Sequence, residues 1–127
     1  MPTVSVPKPT DVKPSPQTTE SLAASIVNQT SADLVLVKSA SALPWIQPPP
    51  QVIQAGKIGQ FNSPGDFSNA ANGYVVYQGA NGATFSLEWA IPSVGKNSIT
   101  WQAEGGLSAQ ESGSLDGWNV SATWFIS

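Results

Sequence analysis

The sequence predicts an all-β domain, a sandwich or a barrel, preceded by a proline-rich arm. From residue 22 onwards, short apolar runs alternate with Gly, Asn, Ser and Pro, a pattern typical of short strands joined by tight turns. Helical periodicity is absent along the whole chain. A chain of 127 residues is long enough to bury one core, so we expect a single domain at 22–127.

The predicted arm covers residues 1–21. Five of the eleven prolines lie in residues 1–20, which contain almost nothing that a core could bury. Two interpretations of the arm stay open. It is either a disordered leader or an extended segment that docks on its own domain or on a neighbouring subunit.

Two segments show the two-residue period of a half-buried strand most clearly. Segment 83–91 places its large apolar residues on one face, namely Phe85, Leu87, Trp89 and Ile91. Segment 117–127 should close the core with Trp118, Val120, Ala122, Trp124 and Ile126. Further strands are predicted at 22–29, 33–38, 57–62, 73–78, 97–104 and 107–112. Asn81-Gly82 lies at hairpin spacing between 73–78 and 83–91 and predicts a tight turn there.

Charge composition excludes one class of partner. Only 10% of the residues are charged and the net charge is −3. The five cations are all Lys and are scattered, and no Arg is present for bidentate contacts with phosphate or guanine. We therefore expect no nucleic acid partner and no polybasic lipid contact. A polar but weakly charged surface suits self-association or an uncharged partner.

Residues for catalysis are few. The chain has no His, Cys or Arg, which excludes Ser-His-Asp chemistry and thiolate metal sites. A pair of carboxylates among Glu88, Glu104 and Glu111 could serve a glycosidase, but solvated strand positions explain these residues better. Asp66 and Asp116 lack the acidic density that calcium sites show. We expect no enzyme activity, no cofactor and no metal.

The segment LPWIQPPPQVIQAG, residues 43–56, combines Trp45 with three consecutive prolines. Proline cannot donate a ladder hydrogen bond, so this segment must run along a sheet edge or over an end of the fold. Trp45 then has two interpretations. It is either a lid on the sandwich or an exposed anchor for a ligand or a membrane interface.

Three motifs follow one another within residues 22–127. They are I-V-N-Q-T at 26–30, W-I-Q-P-P at 45–49 and W-A-I-P-S-V-G-K-N at 89–97. In this order they resemble the aegerolysin family, and most closely its bacterial aegerolysin-like insecticidal crystal proteins. The most specific part of the resemblance is a structural turn motif formed by Trp89, Pro92, Gly95 and Asn97.

The resemblance implies a β-sandwich of two antiparallel sheets and, for several members, binding to membrane lipids such as sphingolipids. Some members form pores with a larger partner protein, and the crystal-forming ones belong to two-component insecticidal systems. This chain departs from the family pattern at two places. Ala90 stands where an acidic residue often follows the Trp, and Asn69 lies near a Glu position of lipid-binding fungal members. The lipid specificity of the family therefore does not carry over.

Three functions from different classes follow. We expect a membrane-lipid or receptor binding module that acts with a larger partner protein, with candidate binding residues Trp45, Phe67, Asn69 and Tyr74. The alternative is a self-assembling structural protein whose arm contacts neighbouring subunits. A carbohydrate-binding module is the third, since exposed Trp rings stack on sugars. The sequence shows no transmembrane run and no signal-peptide core, which predicts a protein that is made soluble.

Overall fold

The computed structural model describes residues 19–66 and 68–127, which form nine strands. These are β1 (Ser21–Asn28), β2 (Leu34–Ser41), β3 (Val52–Ile53), β4 (Ile58–Pro64), β5 (Ala71–Gln78), β6 (Thr84–Ile91), β7 (Ser98–Glu104), β8 (Ala109–Ser114) and β9 (Asn119–Ile126). The predicted arm falls almost entirely on residues 1–18, outside the described residues. Phe67 also lies outside them.

The strands form two sheets. One has four strands in the order β4-β1-β9-β8, and the other has five in the order β3-β2-β5-β6-β7. All neighbouring strands are antiparallel except β1 and β9, which run parallel with Asn119 opposite Ser21. The prediction of an all-β sandwich of two largely antiparallel sheets is confirmed.

Strand alternation builds the core between the sheets, as predicted. The four large apolar residues of β6 are buried, and β9 contributes Val120, Ala122, Trp124 and Ile126. The ring of Trp124 meets that of Trp101 edge to face, with centroids 5.8 Å apart. Trp118 is different, because β9 begins only at Asn119 and the ring of Trp118 is 40% exposed. Its predicted place in the core is therefore wrong.

The hairpin predicted at Asn81-Gly82 joins β5 to β6, with Gln78 opposite Thr84. Asn81 and Gly82 have φ of 57° and 75°, the left-handed conformation that these residue types adopt at low cost. The local sequence therefore specifies both the turn and the register of this strand pair.

Asn28 explains the I-V-N-Q-T motif. Its side chain is fully buried at the end of β1. The Oδ1 atom accepts hydrogen bonds from the backbone N and the Oγ1 of Thr30, while Nδ2 donates to the carbonyls of Ala32 and Ile53. This one amide ties β1 to the connection with β2 and to β3, so its polar atoms are all satisfied.

Candidate functional site

Four connections meet at one end of the sandwich, here called the loop end. It holds the connections that begin after β2, β4, β6 and β8, and β1 and β9 both start there because they are parallel. Most of the candidate residues lie in these connections. They are Trp45, Asn69, Pro92, Gly95 and Asn97. Trp118, which was predicted to lie in the core, is found there as well.

Trp45 packs on the core as a lid. Its ring is half-buried and meets Phe61 edge to face at 5.6 Å, with the ring of Trp89 at 6.0 Å. Beneath it, Trp89 Nε1 donates to Ser63 Oγ at 3.1 Å. Of the two interpretations of Trp45, the lid matches its contacts. A direct contact of this ring with lipid stays a prediction.

The proline segment runs along the free edge of β4, which it meets through Ile46 and Gln47, just before the three prolines. Ile46 and Gln47 lie beside Asn62, whose backbone N donates to the carbonyl of Gln47 at 2.8 Å. Tyr77 Oη donates to the carbonyl of Pro50 at 2.7 Å. Burial raises the pKa of Tyr77, so the hydroxyl keeps the proton with which it holds this segment.

Asn69 braces its own loop. The Oδ1 atom of Asp66 accepts hydrogen bonds from the backbone N of Ser68 and of Asn69, and from Asn69 Nδ2 at 3.0 Å. The Ser68 hydrogen bond, followed by that of the Asn69 side chain, holds the pKa of Asp66 below its ordinary value. Asn69 is exposed, and its contact with a ligand stays a prediction.

Tyr74 lies apart from Trp45. It sits in β5 directly opposite Glu88 and faces outward from the five-stranded sheet, where its ring is 38% exposed. The Nζ atom of Lys38 is 5.9 Å from the ring centroid. Trp45 packs between the sheets, so these two candidate residues do not form one surface.

The turn motif connects the two sheets at the loop end. Trp89 is buried and Pro92 follows the last residue of β6. Gly95 has a φ of 101°, which favours glycine. Asn97 Nδ2 donates to the carbonyls of Leu115 and Gly117 at 2.9 and 2.8 Å. The motif therefore fixes the β6–β7 connection to the β8–β9 connection.

The same two connections carry an apolar tip, formed by Val94 and Trp118. Trp118 Nε1 donates to the carbonyl of Ser93 at 3.1 Å, which holds the indole ring beside the β6–β7 turn. Val94 is 88% exposed. A cleft of about 490 Å³ adjoins the tip, lined by Gly95, Lys96, Asn97, Asp116, Gly117 and Trp118. The tip is the feature that the sequence reasoning missed.

A local signal for the tip exists in the sequence. Asp116-Gly117 directly precedes Trp118, and Gly117 has a φ of 87°. A turn dipeptide at this point ends the strand alternation before Trp118. Val94 likewise lies between Pro92 and Gly95, within a turn.

The part of the chain that the structure describes lacks both a membrane-spanning helix and a cluster of metal-binding side chains. It contains no helix with the length and apolar character needed to cross a bilayer. It also contains no group of three or more acidic side chains placed to bind a metal ion.

Comparisons with known proteins identify the fold. No family model and no curated protein matches the sequence. The crystal structure of the lipid binding protein Nakanori matches with a TM-score of 0.72 at 11% identity, over 85% of this chain and 71% of that chain. IP-1A from Alcaligenes faecalis matches with a TM-score of 0.65 at 12% identity, over 84% and 90% of the two chains.

A third solved structure, RahU in complex with a TRIS molecule, matches with a TM-score of 0.64 at 15% identity. The match covers 84% of this chain and 93% of that one. These likenesses are consistent with the aegerolysin-like fold that the motif order implies. At such low identity they show the fold alone.

Proposed function

We propose that the protein is a non-enzymatic module that binds the surface of lipid membranes through the apolar tip. The observation that carries the proposal is the exposure of Val94, at 88%. Val94 lies on the β6–β7 turn, which is hydrogen-bonded to the β8–β9 connection through Asn97. An apolar side chain held rigidly in water gains free energy when it enters an apolar phase. Trp118 beside it has the amphipathic ring that membrane interfaces favour.

The energetics of the tip suit reversible binding. Removing one valine side chain from water contributes about 1.5 kcal/mol, which is about tenfold in affinity. Three hydrogen bonds hold the two connections together before any membrane is met, so little conformational entropy is lost on binding. Lys96 and Asp116 line the adjoining cleft, where they would meet the polar head groups.

The comparisons add support at the level of the fold. Nakanori, a lipid binding protein, has the same fold as this chain. The sequence resemblance makes sphingolipid the first lipid to test, without assigning it as the specific target, and adds to the proposal a larger partner protein that acts with the bound module. Receptor binding is the variant of this proposal in which the tip meets a protein on the membrane.

A labelled cysteine at the tip tests the proposal. The chain contains no Cys, so Val94→Cys carries a single environment-sensitive dye. Val37→Cys is the matched control, because Val37 is also exposed, at 56%, but lies in β2 away from the loop end. With vesicles of phosphatidylcholine, sphingomyelin and cholesterol, we expect a blue shift for the dye at position 94 and none at position 37.

A second pair of variants measures affinity. In vesicle sedimentation, Val94→Asp should lose at least about tenfold in affinity while Val37→Asp stays at the wild-type value. Equal loss in both variants, or no binding of the wild type to any vesicle, would reject the tip as a membrane contact. Self-association remains the alternative, and mass in solution with and without residues 1–20 tests it.

A further inference from the structure

A groove of about 440 Å³ lies on the outer face of the five-stranded sheet, away from the apolar tip. Strand register places its side chains in two neighbouring rows. Tyr74, Glu88 and Thr100 stand side by side in one row, and Ser86 stands beside Gln102 in the next. Lys38 closes the groove on the β2 side.

The groove combines one aromatic ring with many hydrogen-bonding groups. Tyr74 offers its partly exposed ring, with the Lys38 ammonium 5.9 Å from the centroid. Around it stand two hydroxyls, one amide and one carboxylate, which together donate and accept hydrogen bonds in several directions. The formal charges of Lys38 and Glu88 cancel. A lining without net charge favours a neutral ligand over a phosphate or another polyanion.

We propose that this outer groove binds a short neutral carbohydrate. The C–H face of a sugar ring is apolar and suits the exposed ring of Tyr74, while its hydroxyls suit Ser86, Thr100 and Gln102, which donate as well as accept. The volume is in the range of sites for one small ligand. This assignment uses no residue of the apolar tip and does not depend on the proposed membrane contact.

Two sources supply the same sugar chemistry, a free glycan and the head group of a glycolipid. Tyr74 lies three residues along β5 from Ala71 at the loop end, a rise of about 10 Å. If the tip rests in a membrane, the groove then opens above the lipid surface, where a glycolipid carries its sugars. The glycolipid source rests on the proposed function, whereas the binding of sugar itself does not.

The test uses soluble, neutral oligosaccharides built from glucose, galactose, mannose and N-acetylhexosamines. The full chain is titrated with each one, and amide shifts are followed by nuclear magnetic resonance. We expect shifts at Ser86, Thr100 and Gln102 for at least one sugar. Tyr74→Ala should lose at least about tenfold in affinity, and Tyr74→Phe should retain it because the ring remains.

Val94→Asp is the control that separates the two proposals. It should leave the binding of soluble oligosaccharide unchanged while it weakens binding to vesicles without glycolipid. Tyr74→Ala should weaken the binding of soluble oligosaccharide and leave the binding to vesicles without glycolipid unchanged. It should also lose any extra affinity that glycolipid in the vesicle gives to the wild type. Thermal melting checks that each variant folds. The inference is overturned if no neutral sugar shifts the groove amides, or if Tyr74→Ala binds sugar as the wild type does.

Discussion

Trp45 and Trp118 lie at the same end of the sandwich but are held in opposite ways. Trp45 is held by packing, with aromatic rings at 5.6 and 6.0 Å. Trp118 donates one hydrogen bond from its indole to the carbonyl of Ser93, and the residue is 40% exposed to solvent. A ring that is fixed by packing contributes to stability, whereas a ring that is fixed by its polar edge leaves its apolar surface free for a partner.

The lid at Trp45 and the tip at Trp118 show that an unusual local sequence does not mark an exposed aromatic residue. The sequence around Trp45 is unusual, with three prolines, yet the ring completes the core. The sequence around Trp118 looks like an ordinary strand, yet the ring is exposed. Function at the loop end is therefore better sought in Trp118 and Val94 than in the most conspicuous tryptophan of the chain.

Replacing the two tryptophans should give the largest difference. We expect Trp45→Ala to lower the free energy of unfolding by about 2 kcal/mol, less than for a fully buried tryptophan because the ring is only half-buried. Trp118→Ala should cost less, about 1 kcal/mol, since Trp118 is 40% exposed and its indole hydrogen bond is also exposed. Urea denaturation measures both values.

Membrane binding should respond in the opposite order. Trp118→Ala should weaken vesicle binding, while Trp45→Ala should retain it at temperatures where the variant is folded. A stable Trp45→Ala variant that no longer binds vesicles would show that Trp45 is an anchor after all, and the contrast between lid and tip would fail.

Asn97→Ala should have the next largest effect. It removes the two hydrogen bonds to the carbonyls of Leu115 and Gly117, and we expect a loss of about 1–2 kcal/mol in the free energy of unfolding. Vesicle binding should weaken as well, because the tip is no longer preorganised. Asn119→Ala is a matched control, since the Asn119 side chain also donates two hydrogen bonds, to the carbonyl of Thr19 and the hydroxyl of Ser21, and neither holds the β6–β7 turn. Equal losses of vesicle binding in the two variants would show that the hydrogen bonds of Asn97 do not specifically preorganise the tip.

The fold was predictable where the signal is local. Alternation in 83–91 identified the buried face of β6, and Asn81-Gly82 identified the hairpin, because each rests on neighbouring residues. The site was less predictable. Asn97 meets carbonyls 18 and 20 residues further along the chain, and only the meeting of the two sheets brings them together. No local pattern records such a contact.

The error at Trp118 has a specific physical cause. The alternation of apolar and polar residues predicts which face of a strand each side chain occupies, but it does not show at which residue the strand begins. The positive φ of Gly117 delays the start of β9 until Asn119, so the inward position counted for Trp118 does not exist. For Trp45, alternation gave no guidance, because its segment forms only an isolated bridge with β4, between Gln47 and Asn62, and is then interrupted by prolines. Only tertiary packing decides the place of its ring.

Gly95→Ala tests the backbone of the tip with a smaller effect. An added Cβ would meet no atom within 4 Å, so the cost comes only from the φ of 101°. We expect a loss of about 1 kcal/mol in the free energy of unfolding and a moderate loss of vesicle binding.

Gly56→Ala is the matched control. Gly56 also has a positive φ, 76°, and no atom within 4 Å of an added Cβ, but it lies at the other end of the sandwich. It should lose similar stability and retain binding. Loss of binding in both variants would point to general destabilisation.

Asp66→Asn should have the smallest effect on vesicle binding. Asp66 holds its loop neither by packing, as at Trp45, nor by a neutral hydrogen bond, as at Trp118, but by a carboxylate that accepts hydrogen bonds. Its carboxylate accepts backbone hydrogen bonds from Ser68 and Asn69, and its pKa is lowered. Because the folded pKa is lowered, the contribution of this group is fully present above the ordinary value of 3.8 and is lost as the pH falls through the lowered pKa. In a titration followed by nuclear magnetic resonance, the amides of Ser68 and Asn69 should shift over that acidic range. Asp66→Asn should abolish this shift, and Asp116→Asn should leave it unchanged.

Vesicle binding near neutral pH should not change in Asp66→Asn. A loss of binding in this variant would extend the membrane contact from the tip to this loop.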